Sequence, residues 1–288
     1  MSIVTAALYI VATPIGNLED VSARAIKVLS EVDLIAAEDT RHSAKLLHHY
    51  GITTAVTSVH EHNERDQVPR LIEALRSGKS IALISDAGTP LLSDPGYHLV
   101  GGARAAGVAV VPVPGPCAAI AALSVAGLPT DRFVFEGFPP PRSAARRAAF
   151  DAMQGESRTI IYYESSHRIV ASLADMVAAF GPQRRAVVAR ELTKKFETVH
   201  DGTLADLHER LTHDANEQLG EFVILIHGAP GSERTEIDGE AERVLRILLE
   251  TLSLKEAVAL AARLTGHHKN ALYERALLIK SETSGDSE

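Results

Sequence analysis

The chain is predicted to be an α/β protein: a first α/β domain on a largely parallel sheet, a second on a mixed sheet, and a small helical C-terminal extension. Three observations carry this. From Ala7 to Val113, short apolar runs alternate with segments whose apolar residues recur at helical spacing. The densest cluster of breakers, Pro112-Val113-Pro114-Gly115-Pro116-Cys117, separates that stretch from one whose strands are fewer and less regularly alternated. A polar linker over Ala229–Gly239 then precedes three helix-like segments. The boundaries fall at residues 1–117, 118–230 and 240–288.

In the first domain Ala7–Ala12 reads as a buried strand, followed by the turn Thr13–Asn17 and a helix over Leu18–Ser30. Val32–Ala37 is a strand leading to Glu38-Asp39-Thr40-Arg41, and His42–Tyr50 a helix stopped by Gly51. Val56–Val59 is a strand ending in His60–Glu64, and Gln67–Leu75 a helix with Gly78 just past its end. Ile81–Ile84 is the fourth strand, Tyr97–Ala106 a helix and Val108–Val113 the fifth strand. In the second domain Ala118–Ala126 is a small apolar helix, Phe133–Phe138 a strand that Pro139-Pro140-Pro141 cannot continue, and Arg142, Arg146 and Arg147 share a helical spacing. Thr159–Tyr163, Ala186–Ala189 and Glu221–His227 are strands; Ile169–Phe180 and Leu204–Leu211 are helices. The extension offers Ala241–Glu250, Leu254–Leu264 and Lys269–Lys280 as helices. Between Lys255 and Lys280 basic residues outnumber acidic ones, which suits either nucleic acid or a dimer support.

Composition narrows the function classes. The 288 residues are 45% hydrophobic, with no apolar run of the length a bilayer span needs and no basic segment ahead of an apolar one at the start, so a cytoplasmic protein is expected. A lone Cys117 makes neither an internal disulfide nor a thiolate metal site. The net charge of −8 argues against nonspecific coating of nucleic acid, and 5% aromatics with no tryptophan leave few stacking platforms.

The stretch with the most chemistry is Leu83–Gly96, LISDAGTPLLSDPG. A buried strand there breaks into turn formers and two carboxylates, Asp86 and Asp94, at the end of the sheet where ligands of open α/β folds sit. Gly88 and Gly96 permit close backbone approach, while Pro90 and Pro95 stiffen the loop. No phosphate-binding G-x-x-x-x-G-K-[ST] is present, and no G-x-G-x-x-G follows the first strand. The histidine pairs His48-His49, His60/His62 and His267-His268 lack metal-ligand spacing, so no bound metal is expected.

Seven stretches taken together (LYIVATPIGNLEDVSARA, AEDTRHSAKLL, SDAGTPLLSDPG, VPVPGPCAAIAAL, FEGFPP, YYESSHR and ARELTKKFE) resemble the tetrapyrrole-methylase superfamily, and within it the ribosomal RNA small subunit methyltransferase I branch. The resemblance runs from Leu8 to about His227, and LKEAVALAARLTGHHKNALYERAL is similar to that branch's C-terminal extension. It implies two α/β domains with a cleft between them, a homodimer, and S-adenosyl-L-methionine-dependent 2′-O-methylation of a cytidine ribose in the decoding region of 16S rRNA on the small ribosomal subunit. Carried over by position, the donor site takes Pro14, Asp86, Gly88, Thr89, Pro90, Leu92, Cys117 and Ala118, with Tyr163 closing it from the second domain. After the first strand, Ala12-Thr13-Pro14-Ile15-Gly16 stands where tetrapyrrole methylases proper carry a glycine-rich run, which counts against a porphyrinoid substrate.

A ribose hydroxyl attacking a sulfonium methyl needs positioning and a proton acceptor. Candidate acceptors are Glu164, Glu191, Glu221 and Asp86, with Lys194 as orienter or desolvated base; Glu164 and Lys194 are preferred because both follow strand ends in the second domain. For Glu191 a salt bridge to Arg190 or Arg168 is the competing role. Arg142, Arg146, Arg147, Arg168 and Arg190 are the candidate RNA-phosphate contacts, against a solvated helix face for the first three. Two other functions stay open on the residues alone: methylation of a corrin-type macrocycle and a non-catalytic ribosome-binding module.

Overall fold

The computed structural model describes residues 4–60, 62–229 and 237–285. Glu61, which the sequence places in a ligand-face loop, and residues 230–236 of the predicted linker lie outside the described residues. The chain forms two compact units, Met1–His227 and Gly228–Glu288.

The first unit opens with β1 (Leu8–Val11), a 3-10 turn (Leu18–Asp20), α1 (Ala23–Glu31), β2 (Leu34–Ala37), α2 (Thr40–His49), β3 (Val56–Ser58), α3 (Glu64–Arg76), β4 (Ile81–Ile84), α4 (Tyr97–Ala105) and β5 (Val110–Val113). All five strands pair in parallel in the order β3-β2-β4-β1-β5. The helix predicted from Leu18 begins only at Ala23, because the Ser22 side chain accepts from the Ala25 N–H and caps it there. The helix predicted from Gln67 starts earlier, at Glu64, whose buried carboxylate accepts the Leu99 N–H at 3.0 Å and so ties α3 to the first turn of α4. Apolar side chains cover both faces of the sheet, with Tyr9, Ile35 and Ile84 on one and Leu8, Leu83 and Leu99 on the other.

The same unit continues through α5 (Ala118–Val125), β6 (Phe133–Gly137), α6 (Ser143–Ala152), β7 (Thr159–Ser165), α7 (Ile169–Phe180), β8 (Arg185–Arg190), β9 (Thr198–Thr203), α8 (Leu204–His213) and β10 (Glu221–Ile226). The second sheet runs β6-β7-β10-β8-β9; only the β6–β7 pair is parallel. The strand β9 has no counterpart in the sequence reading. It is a polar edge strand, TVHDGT, of exposed and half-exposed residues, and it supplies no apolar run to detect. Phe150, Ile160, Leu173 and Ile224 pack one face of this sheet, and Ala122, Ile161, Val187 and Leu225 the other.

The second unit contains α9 (Gly239–Thr251), α10 (Leu254–Thr265) and α11 (Lys269–Gly285) around Leu245, Ala261, Leu272 and Ala276. Ser253 and Glu256 form a reciprocal cap on α10, and Gly266 ends it in the left-handed conformation. Arg275, counted above among the cations of the extension, pairs with Glu242 at 2.6 Å. No helix among the described residues is long and apolar enough to cross a membrane.

Candidate functional site

In the parallel sheet β1 is followed by a strand on one side of it, whereas β4 is followed by β5 on the other. Connections that diverge in this way leave a crevice at the carboxyl ends of the two strands. The loops that bound it are stitched together: Thr13 donates its N–H to the Gly88 carbonyl at 2.9 Å and Gly88 returns one to Thr13 at 3.0 Å. Gly88 sits at φ +83° and buried, so a side chain there would be strained as well as crowded against Ile15. Leu91 and Ser93 also take positive φ, at 75° and 71°. Non-glycine residues persist there only where their surroundings over-determine them, and such strain clusters at ligand loops.

Above this loop lies a cavity of about 420 Å3, within the range that holds small ligands. Asp86, Gly88, Thr89, Leu92, Cys117, Ala118 and Tyr163 all line it, as the sequence analysis expected. Pro14 and Pro90 do not; Pro90 is buried behind the loop, where it serves the backbone, and Pro14 follows the Thr13–Gly88 bridge. The two sheets meet at this point. The Thr89 hydroxyl donates to the Pro116 carbonyl at 3.0 Å, and the Tyr163 oxygen accepts the Ala119 N–H at 3.1 Å, which fixes the ring over the start of α5. Burial pushes the Tyr163 phenol well above its ordinary range, with the neighbouring Cys117 adding to the shift, so it stays protonated.

Two acids to which the sequence analysis gave no role join Asp86 at the wall: Asp94, noted there as the motif's second carboxylate, and Glu38, from the end of β2. Burial pushes the Asp94 carboxyl up to about 6; a hydrogen bond with Ser85 opposes this, and the charges of Glu38 and Asp86 add to it. Glu38 is raised as well, first by burial. Among the described residues no lysine or arginine pairs with any of the three. The signal was present in the sequence as Asp94 in the motif and Glu38 after a strand. Their convergence needed the sheet order, which sets β2 beside β4.

The preferred acid and base of the sequence analysis have other work. The Glu164 side chain is fully buried; its oxygens accept from the Ser172 hydroxyl and from the Ser165 N–H at 2.8 Å, and pair with Arg168 at 2.7 Å. Held by three donors and closed off from solvent, Glu164 is placed as a structural anchor. Lys194 bridges Glu191 at 2.8 Å and Glu221 at 2.9 Å. Burial works to lower its pKa, but the hydrogen bonds it donates to the two carboxylates win and the net shift is upward, so the ammonium keeps its proton. Its chemistry is therefore orientation only. Glu191 is a salt-bridged residue, with Lys194 and not an arginine as partner, and it and Thr193 hold positive φ at 51° and 65°. Of the four acids weighed from the sequence, Asp86 is left free of a cation.

The arginines divide similarly. Arg146 is 4% exposed and locked to Asp175 at 2.6 Å. Arg168 is spent on Glu164 and the Pro139 carbonyl, and Arg190 on the carbonyls of Leu219, Asn216 and Phe196. These three are braces, which removes them from the RNA-contact set. Arg142 and Arg147 remain exposed, Arg147 with only a 3.8 Å approach to Asp175.

Residues 7–208 match the family model for Tetrapyrrole (Corrin/Porphyrin) Methylases, and residues 235–280 that for the RsmI C-terminal HTH domain. The chain is 58% identical over 272 residues to the "Ribosomal RNA small subunit methyltransferase I" of Pseudomonas aeruginosa, covering 94% of this chain and 96% of the relative. Among solved structures it is similar to the methyltransferase CobJ (TM-score 0.58, 18% identity, 77% of this chain and 94% of that one). It is also similar to the Thermus thermophilus uroporphyrin-III C-methyltransferase complexed with S-adenosylhomocysteine (TM-score 0.52, 17% identity, 76% and 96%).

Proposed function

The chain belongs to the tetrapyrrole methylase family and to its ribosomal RNA small subunit methyltransferase I branch, and on that premise we propose that it methylates 16S rRNA of the small ribosomal subunit at the 2′-oxygen of a cytidine ribose in the decoding region. Its methyl donor is S-adenosylmethionine, and it works in the cytoplasm as a homodimer. The observation that carries the reading is the cavity itself, whose wall presents Glu38, Asp86 and Asp94 without a countercation. Partly desolvated carboxylates that no lysine or arginine pairs with cost free energy until a ligand supplies positive charge.

The residues fit that donor, a cation with an apolar body. The acidic group would face its positive charge, and the Gly88 backbone and the apolar lining of Ile15 and Val223 would take the rest. S-adenosylmethionine supplies an electrophilic methyl group on a sulfonium. What the chain adds is alignment: Tyr163 and Thr89 hold the two lobes at one spacing, and Lys194 pins the loop after β8 to Glu221 at the rim. The hydroxyl proton passes to a carboxylate of the acidic group, the cavity-lining acids that no lysine or arginine occupies. Arg142, Arg147 and the exposed Lys255, Arg263 and Lys269 make the phosphate contacts. A macrocycle substrate would leave the C-terminal unit without a role, and a non-catalytic module would leave the unpaired acids unexplained.

The test is ribose-methylation mapping of 16S rRNA from cells with and without the gene. One cytidine 2′-O-methyl group in the decoding region is expected to vanish on deletion and return on complementation. An identical map in both strains would overturn the proposal.

A further inference from the structure

We propose that the Phe138 ring is a stacking platform for the base of the substrate nucleotide, which must therefore turn out of its RNA stack to reach the cavity; this rests on the RNA substrate proposed above. Phe138 is 52% exposed and yet lines the cavity, with its ring edge-on to Tyr163 at 5.5 Å. A large apolar ring left in water at a cavity rim is not explained by the core of the second sheet.

The backbone goes to some length to hold it there. The β6–β7 register slips between Phe135 and Gly137, so that Glu136 is an extra residue and the end of β6 is re-aimed. Gly137 follows at φ +67°, and a Cβ built on it would lie 3.1 Å from the Ser93 hydroxyl oxygen, so this strand end presses onto the loop after β4. Beyond Phe138 come three prolines, and the carbonyls of the first and third are held by arginines, one half-buried and one buried. Arg168, anchored on Glu164, donates to Pro139 at 3.0 Å, and Arg146, anchored on Asp175, donates to Pro141 at 3.4 Å. The arginines that first looked like RNA ligands thus stiffen the segment that presents the ring.

The occupant follows from the surroundings. A flat apolar face with a fixed orientation suits a nucleobase, and a cavity recessed behind it is out of reach of a nucleotide still stacked in a helix. The exposed Arg142 and Arg147 lie a few residues further along the chain, where they suit the phosphates flanking that nucleotide. The donor's adenine is the other base in the reaction, but the buried part of the wall, Ile15 and Val223, already offers it an apolar bed.

The experiment compares the full-length wild type with Phe138→Ala and Phe138→Tyr, measuring donor affinity by calorimetry and methyl transfer to small ribosomal subunits over a range of salt. Phe138→Ala is expected to leave the melting temperature and donor affinity unchanged and to raise KM for the RNA about 10-fold or more, with Phe138→Tyr restoring it. The salt slope should be the same in all three, because no phosphate contact is lost. An unchanged KM in Phe138→Ala overturns the inference while leaving the methyltransferase reading intact. A loss confined to donor affinity overturns it too and gives the ring to the adenine. A wild type that transfers no methyl to the subunit overturns both.

Discussion

Glu164 and Asp94 both line the cavity, one from each sheet, and the protein treats them in opposite ways. Glu164, from the mixed sheet, is buried with Arg168, Ser172 and a backbone N–H on its oxygens. Asp94, from the loop of the parallel sheet, is half-buried beside two further acids with only Ser85 as a hydrogen-bond partner and, among the described residues, no lysine or arginine pairing with it; partial burial pushes its carboxyl up to about 6. A buried carboxylate given a complete set of donors is part of the scaffold. One denied them is held ready for something not yet there. The arginines sort by the same rule, into braces with carboxylate partners and exposed cations such as Arg142.

Breaking the scaffold side of this contrast should have the largest effect. Glu164→Ala strands the Arg168 guanidinium and frees the Pro139 carbonyl, so denaturant unfolding should show a loss of about 3 kcal/mol, the usual cost of removing one partner of a buried pair. Full stability with lost turnover would instead return Glu164 to the chemistry and dissolve the distinction.

The open side is sharpened by pH. A cationic donor needs Asp94 ionised, so affinity measured by calorimetry should fall as pH drops through about 6. Asp94→Asn should bind about 10-fold more weakly at pH 8 and lose that part of the pH dependence. In the free protein the sign reverses. The folded carboxyl holds its proton up to about 6, against 3.8 for an ordinary aspartate, so Asp94 makes the protein less stable as pH rises across that interval and has no further effect above it. Equal donor affinity at pH 5 and pH 8 would place the charge recognition elsewhere.

The smallest effect concerns the arginines. Replacing Arg142 and Arg147 together should weaken RNA binding several-fold and lower the log–log salt slope by about 1.5, as for two phosphate contacts. Arg146→Ala should leave that slope alone and lower the melting temperature through the loss of the Asp175 pair. A slope that responds to Arg146 and not to its neighbours would mean the two classes of arginine had been read the wrong way round.

Much of this was written in local patterns. Alternating apolar runs marked nine of the ten strands among the described residues, and LISDAGTPLLSDPG announced the loop that underlies the cavity, because strand burial and turn chemistry depend on residues close in the chain. The missing strand, β9, is a polar edge whose pairing with β8 is its only signature. Seven of the nine expected donor-site residues reach the cavity, since loop residues at a sheet's carboxyl edge face the crevice whatever their neighbours do.

What a charged side chain is for was decided only in three dimensions. Nothing near Arg146 in the chain signals Asp175, and nothing near Lys194 signals Glu221; these partners are brought in by helix packing and strand order. Glu38 and Asp94 likewise become one acidic group only because β2 lies beside β4. The chain by itself determined the two sheets, the helical tail and the loop that underlies the cavity. Tertiary structure decided which charges are neutralised and which are left to meet a substrate, because ion pairing and desolvation are set by distance in space and burial, and neither is encoded by spacing in sequence.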